Sequence, residues 1–231
     1  MNSPKYNITA FTLIELLTVI AIIGVLAGIL IPVLGKVRST ARNATCISNL
    51  RQLGQGFQLY MADNKGRLPL AERAAAPGSP ATNWVYALIG YDNTGPDYIG
   101  ARLRGTQLPT IKTGIKTVLL CETNVKTVPD PANSSSATSY AINVAASNGQ
   151  TSGRNISEFN APSRFCLLGE PKVKENGAGF NKLMAGNDPN AILDPKIHGN
   201  HSNVLYLDGH VGSVKEVPDI TTEDGKRFWK P

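Results

Sequence analysis

Residues 11–34 read FTLIELLTVIAIIGVLAGILIPVL, and this stretch decides the architecture. As a helix rising ~1.5 Å per residue it covers roughly 36 Å, enough to cross a hydrocarbon core of about 30 Å. Residues 1–10 in front of it are polar and carry one basic side chain, Lys5. A secretory signal would close its apolar run with a small-x-small cleavage site. This run instead ends Ile31-Pro32-Val33-Leu34-Gly35-Lys36. It also holds a carboxylate, Glu15, near its start. A charge inside a membrane span costs at least ~2.5 kcal/mol, so such a residue marks a functional position. Gly24 and Gly28 form a GxxxG pair on one helix face, where a second helix can approach closely. Pro32 removes a backbone donor and is expected to kink or loosen the helix.

Past Pro32 the helical period persists but becomes amphipathic. Val37, Ala41, Ala44, Ile47, Leu50, Leu53, Phe57 and Tyr60 recur at steps of three and four. The helix is expected to reach about Ala62, roughly 80 Å in all, and to stop at Asp63-Asn64-Lys65-Gly66. Residues 68–116 read as irregular, with a short helix over 83–89 anchored by Trp84, Tyr86 and Tyr91. Strands are expected over 117–121, 139–144, 165–169, 203–207 and 210–217, with a loop over 129–139 and a long insertion over 175–195. Asp208-Gly209 carries the chemistry of a two-residue hairpin turn. The fold class is therefore α+β: a long N-terminal helix, membrane-spanning in its first half, packed on a small antiparallel β-sheet. The expected organisation is a leader (1–10), a transmembrane and assembly helix (11–34), an amphipathic continuation (35–63) and a globular domain (64–231).

Composition narrows the function. Hydrophobic residues are 42% and charged residues 17%, which suits a packed core and excludes a disordered chain. The net charge of +6 is concentrated: residues 35–67 hold Lys36, Arg38, Arg42, Arg51, Lys65 and Arg67 against Asp63 alone. A basic patch beside an apolar span favours lipid headgroups as a partner, and no nucleic-acid-binding motif accompanies it. The three cysteines, Cys46, Cys121 and Cys166, cannot all pair within one chain. Buried free thiols are the preferred reading, with a Cys46–Cys121 disulfide as the alternative outside the cytoplasm.

His198, His201, Asp208 and His210 have the residue types of a divalent metal site, but match no metal-site spacing. The preferred reading has Asp208 forming the turn and His198 bonding nearby backbone, with no cofactor. Glu122 and Glu170 read as solvated carboxylates near strand ends. The chain has no GxSxG, P-loop or dinucleotide fingerprint, so nothing positive supports an enzyme.

Ala10-Phe11-Thr12-Leu13-Ile14-Glu15-Leu16-Leu17 resembles the processing site of type IV prepilins and type II secretion pseudopilins. The resemblance implies a pilin-like fold, cleavage between Ala10 and Phe11 by a prepilin peptidase, and methylation of the new amino terminus. It also gives Glu15 a role in assembling helices into a filament with other pilin-like subunits. The family usually has Gly before the cut, where this chain has Ala10. His198, Asp208 and Gly209 meet the spacing of a second pattern, similar to prepilin-like proteins that end in His, nine residues, then Asp-Gly.

Such a protein sits in the cytoplasmic (inner) membrane by a single pass, with its C-terminal domain on the extracytoplasmic, periplasmic side. The excess of Lys36, Arg38 and Arg42 over Lys5 favours the opposite orientation. The specific processing signal is preferred over that statistical rule. A pilin or pseudopilin subunit is the leading function. The alternative is a processed, anchored envelope protein whose domain binds a ligand or partner without forming filaments.

Overall fold

A computed structural model describes residues 13–73, 82–90, 96–100, 117–125, 138–149, 152–172, 182–184 and 193–231. The leader and the expected cut at Ala10 and Phe11 lie outside the described residues, as does Tyr91. Contacts divide the chain into two compact units, 1–41 and 42–231.

Helix α1 spans Leu13–Asp63, and its assignment continues through Pro32. Within the first unit it is apolar on every face. Sixteen large apolar side chains from Leu13 to Val37 are each 47–80% exposed. A helix greasy all round belongs in a core or a bilayer; none of its most apolar 18-residue window is buried.

In the second unit the same helix buries Cys46, Asn49, Leu50, Leu53, Phe57 and Met61 along one face. The expected stripe thus begins later than the periodicity suggests, since Val37 and Ala44 are exposed. The helix ends as expected: the Gly66 N–H bonds the Met61 carbonyl at 2.8 Å, reaching back over the last turn.

Most of the other elements are short. In chain order they are β1 (Glu72–Arg73), β2 (Thr82–Asn83), α2 (Trp84–Ile89), α3 (Glu122–Val125), β3 (Ala141–Asn143), β4 (Ser147–Asn148) and β5 (Ser152–Gly153), then β6 (Cys166–Gly169), β7 (Lys182–Leu183), β8 (Ser202–Tyr206), β9 (Val211–Val214) and α4 (Glu223–Trp229). The main sheet has the order β7-β3-β6-β8-β9. Its pairings are antiparallel except the edge pair β3–β7, which is parallel. That edge strand lies in the stretch read as an insertion.

The sheet is buried on both faces, and this sets its sequence pattern. Ile142, Leu168 and Leu205 pack with the α1 residues Leu50, Leu53 and Phe57. Their strand neighbours Ala141, Cys166 and Val204 pack with Phe228 and Trp229 of α4. Strands covered on both faces lose polar alternation and read as apolar runs. Gly54 permits the close approach of α1, because a Cβ there would meet Leu205 Cδ1 at 2.9 Å.

Two local expectations are corrected. Residues 117–121 form a turn, not a strand: the Leu120 N–H bonds the Thr117 carbonyl at 3.1 Å. Asn49 donates to the Leu120 carbonyl at 2.9 Å, the Cys121 N–H donates to Ser139 Oγ at 2.6 Å, and the Leu119 carbonyl accepts the Ser139 N–H at 2.9 Å. The β8–β9 hairpin closes on three residues rather than two. Tyr206 faces His210 through a 2.9 Å bond, and the Gly209 N–H bonds the Tyr206 carbonyl at 3.0 Å. Leu207, the first loop residue, is fully buried in the core, and its N–H bonds the Phe165 carbonyl at 3.1 Å. Gly209, at φ +95°, supplies the left-handed residue that ends such a loop.

Candidate functional site

Glu15 is exposed in the first turn of α1, in the segment with the properties of a membrane anchor. Beyond the helix's own backbone, a Cβ added at Gly24 or Gly28 would meet nothing among the described residues within 4 Å. One face of this helix is therefore flat enough for a second helix to lie against it.

The second unit holds a different kind of site, built around a buried carboxylate. Strand β6 ends at Gly169, and Glu170 follows with 0% exposure. Its solvated reading is thus corrected; Glu122 is the exposed one of the pair, 3.8 Å from Arg42. A buried carboxylate needs hydrogen-bond donors to offset the loss of water. Glu170 Oε2 accepts the Asn203 backbone N–H at 2.8 Å, and Oε1 lies 2.8 Å from His198 Nε2. The His198 backbone N–H bonds the nearby His201 carbonyl at 3.1 Å, as expected of nearby backbone, while its ring bonds a carboxylate side chain. The His198 side chain is 2% exposed.

Nε2 of His198 also lies 3.6 Å from Cys121 Sγ. Cys121 is joined to Cys46 in a disulfide, with Cα atoms 5.2 Å apart, and the expectation of free thiols holds for Cys166 alone. Cys166 is buried with the α4 cluster, and burial pushes its thiol well above the usual range. Around the disulfide, the Tyr140 hydroxyl donates to the Cys46 carbonyl at 3.4 Å. Burial, then the nearby Glu170 charge, raise the Tyr140 phenol well above its ordinary value, so it stays a donor.

The four residues considered as metal ligands are divided. His201 is close to His198, with ring centroids 5.7 Å apart, and burial lowers its imidazole. Asp208 and His210 sit at the other end of β8, a five-residue strand of about 17 Å. There Asp208 Oδ1 lies 2.6 Å from His210 Nδ1 and accepts the His210 N–H at 3.1 Å, while the His210 ring stacks on Tyr206. The spacing from His198 to Asp208-Gly209 is thus the length of β8 with its flanks: the histidine enters the buried cluster before the strand, and the Asp-Gly pair turns the chain after it.

The set that does converge is Cys46, Cys121, Glu170 and His198, whose ligand-type atoms all lie within 4.8 Å of one another. Reading along the sequence found His198 but not its partners. The available signal was Glu170 itself, placed directly after the apolar run CLLG and before Pro171.

No curated protein and no solved structure matches the chain. The family model of the prokaryotic N-terminal methylation motif matches residues 6–31, which include Glu15, Gly24 and Gly28. Over residues 6–31 the chain carries the prokaryotic N-terminal methylation motif, which supports a type IV prepilin-like protein.

Proposed function

We propose that this chain is a pilin-like or pseudopilin subunit of a type II secretion or type IV pilus-like envelope assembly. The observation that carries the reading is the methylation motif over residues 6–31, joined to a helix whose apolar side chains are exposed on every face. A prepilin peptidase cuts before Phe11 and methylates its amino group. The helix remains in the cytoplasmic membrane as a single-pass anchor, and residues 42–231 lie on the extracytoplasmic side. Glu15, Gly24 and Gly28 then serve assembly with other pilin-like subunits. The role is structural rather than enzymatic.

The Cys46–Cys121 disulfide supports this topology, since such bonds persist in oxidising compartments. Intact-mass and N-terminal peptide analysis of native protein tests the processing. A mature chain starting at methylated Phe11 is expected. A chain still starting at Met1, in cells with an active prepilin peptidase, would overturn the reading.

A further inference from the structure

We propose that Cys46, Cys121, Glu170 and His198 form a redox-gated site for one zinc-like divalent cation, closed while the disulfide stands and open once it is reduced. The inference is independent of filament assembly.

The donor set is two sulfurs, one imidazole nitrogen and one carboxylate oxygen, gathered within 4.8 Å. Thiolate, imidazole and carboxylate are the ligand types that zinc takes, in four-coordinate tetrahedral geometry. With Zn–S of about 2.3 Å and Zn–N of about 2.0 Å, a tetrahedron separates sulfur from nitrogen by roughly 3.5 Å. Cys121 Sγ and His198 Nε2 already stand 3.6 Å apart. The same geometry asks for sulfurs roughly 3.7 Å apart, which a bonded pair cannot reach. Disulfide and metal therefore exclude each other. The second donor layer exists too: the Asn203 N–H fixes the free oxygen of Glu170 at 2.8 Å, as outer partners orient carboxylate ligands in metal sites. Lys196, Gly199 and Asn200, the sequence neighbours of His198 in the loop before β8, are exposed.

The gating step balances with a reductant of the dithiol class. The dithiol closes its own disulfide and gives up two electrons and two protons. The Cys46–Cys121 bond breaks, and each sulfur takes one proton. The cation then displaces both protons to solvent, and the two thiolates neutralise its charge.

The test uses full-length chain in detergent, carrying Cys166→Ala to remove the third thiol. It is reduced with a dithiol, desalted without oxygen, and titrated with cobalt(II) as a spectroscopic substitute for zinc. One equivalent of cobalt is expected, with a thiolate-to-cobalt charge-transfer band and intense tetrahedral visible absorption; zinc should bleach both. The oxidised chain should give neither. His198→Ala and Glu170→Gln should weaken binding at least tenfold, in line with the loss of one ligand. A folded, reduced chain that shows no thiolate–cobalt band overturns the site, as does a chain that unfolds on reduction. A band unchanged in both variants overturns the four-ligand assignment. Should the variants fail to fold, the stoichiometry and spectrum of the Cys166→Ala chain still decide.

Discussion

At the scale of single residues, the positions that matter most have either a special backbone or a buried charge. Gly209 is the first kind. At φ +95° a β-branched side chain is strained, so Gly209→Val should cost about 2 kcal/mol. For a domain of this size that lowers the melting temperature by roughly 4–8 °C. Thermal denaturation of the detergent-solubilised chain measures it, and an unshifted transition would remove the hairpin argument. The importance of this glycine was legible from Asp208-Gly209 alone, but the loop length was not. A glycine at positive φ suits a two-residue turn and the end of a three-residue loop alike, so the dipeptide does not choose between them. Glu170 and His198 are the second kind. Removing the ring alone, by His198→Ala, leaves a buried carboxylate short of a partner and should destabilise by about 3–5 kcal/mol. Replacing both with Leu should recover much of that loss, because an apolar pair leaves no charge to desolvate. If the double variant is as unstable as His198→Ala, the account of this cluster as a buried carboxylate dependent on its hydrogen-bond partners fails. Sequence spacing could not expose the pair, since 28 residues separate its members and only the sheet brings them together.

Among elements, α1 is the one most fully written in the sequence, because a period of three and four and an unbroken apolar run are local signals. Its two halves have different physical requirements. The half from Cys46 to Met61 is satisfied within the chain by the sheet and by Trp84, which stacks on Phe57 at 5.6 Å. The exposed apolar half needs lipid or other helices. Glu15 is costly in lipid, and cleavage before Phe11 would create an amine four positions away, one helical turn. In low dielectric that charge attracts Glu15 strongly, within one chain or across to a neighbour. Glu15→Ala should therefore leave cleavage intact, or ease insertion, yet reduce assembly several-fold. Glu15→Gln should do the same, since it keeps shape and loses charge. Sedimentable filament yield beside processing of Phe11 checks both. Wild-type assembly by both variants would remove the Glu15 charge from assembly, whereas no sedimentable filament from the processed wild-type chain would favour the anchored, non-polymerising alternative. The element least legible in the sequence was α4. Gly225 in its first turn and its charged surroundings hide a helix whose Phe228 and Trp229 pack with the back of the sheet. Its signal was the Thr222 cap, accepting the Gly225 N–H at 3.0 Å, followed by the acids Glu223 and Asp224 in the first turn.

For the whole molecule the question is orientation across the membrane, where two physical arguments disagree. Lys36, Arg38 and Arg42 follow the span, and positive flanks tend to stay in the cytoplasm. That bias is weakened at one position, because Arg42 lies 3.8 Å from Glu122, although a pair this exposed is worth little, about 0–1 kcal/mol. Against it stands the Cys46–Cys121 bond. It closes a sequence separation of 75 residues, which in the chain-entropy model stabilises the fold by on the order of 4 kcal/mol. A domain that draws on such a bond gains that stability only where thiols oxidise, outside the cytoplasm. The processing motif favours the same side, so the extracytoplasmic orientation is expected. An export-dependent reporter fused after Pro231 should be active, while a cytoplasmic reporter at the same site should be silent. Thiol trapping of protein from intact cells adds an independent reading: on unfolding, Cys166 should alkylate at once, while Cys46 and Cys121 should alkylate only if a reductant is also added. An active cytoplasmic reporter, together with Cys46 and Cys121 that alkylate upon unfolding without any reductant, would reverse the topology. The basic residues after the span would then be its true determinant, and the buried dithiol, kept reduced, would be the resting state of this domain.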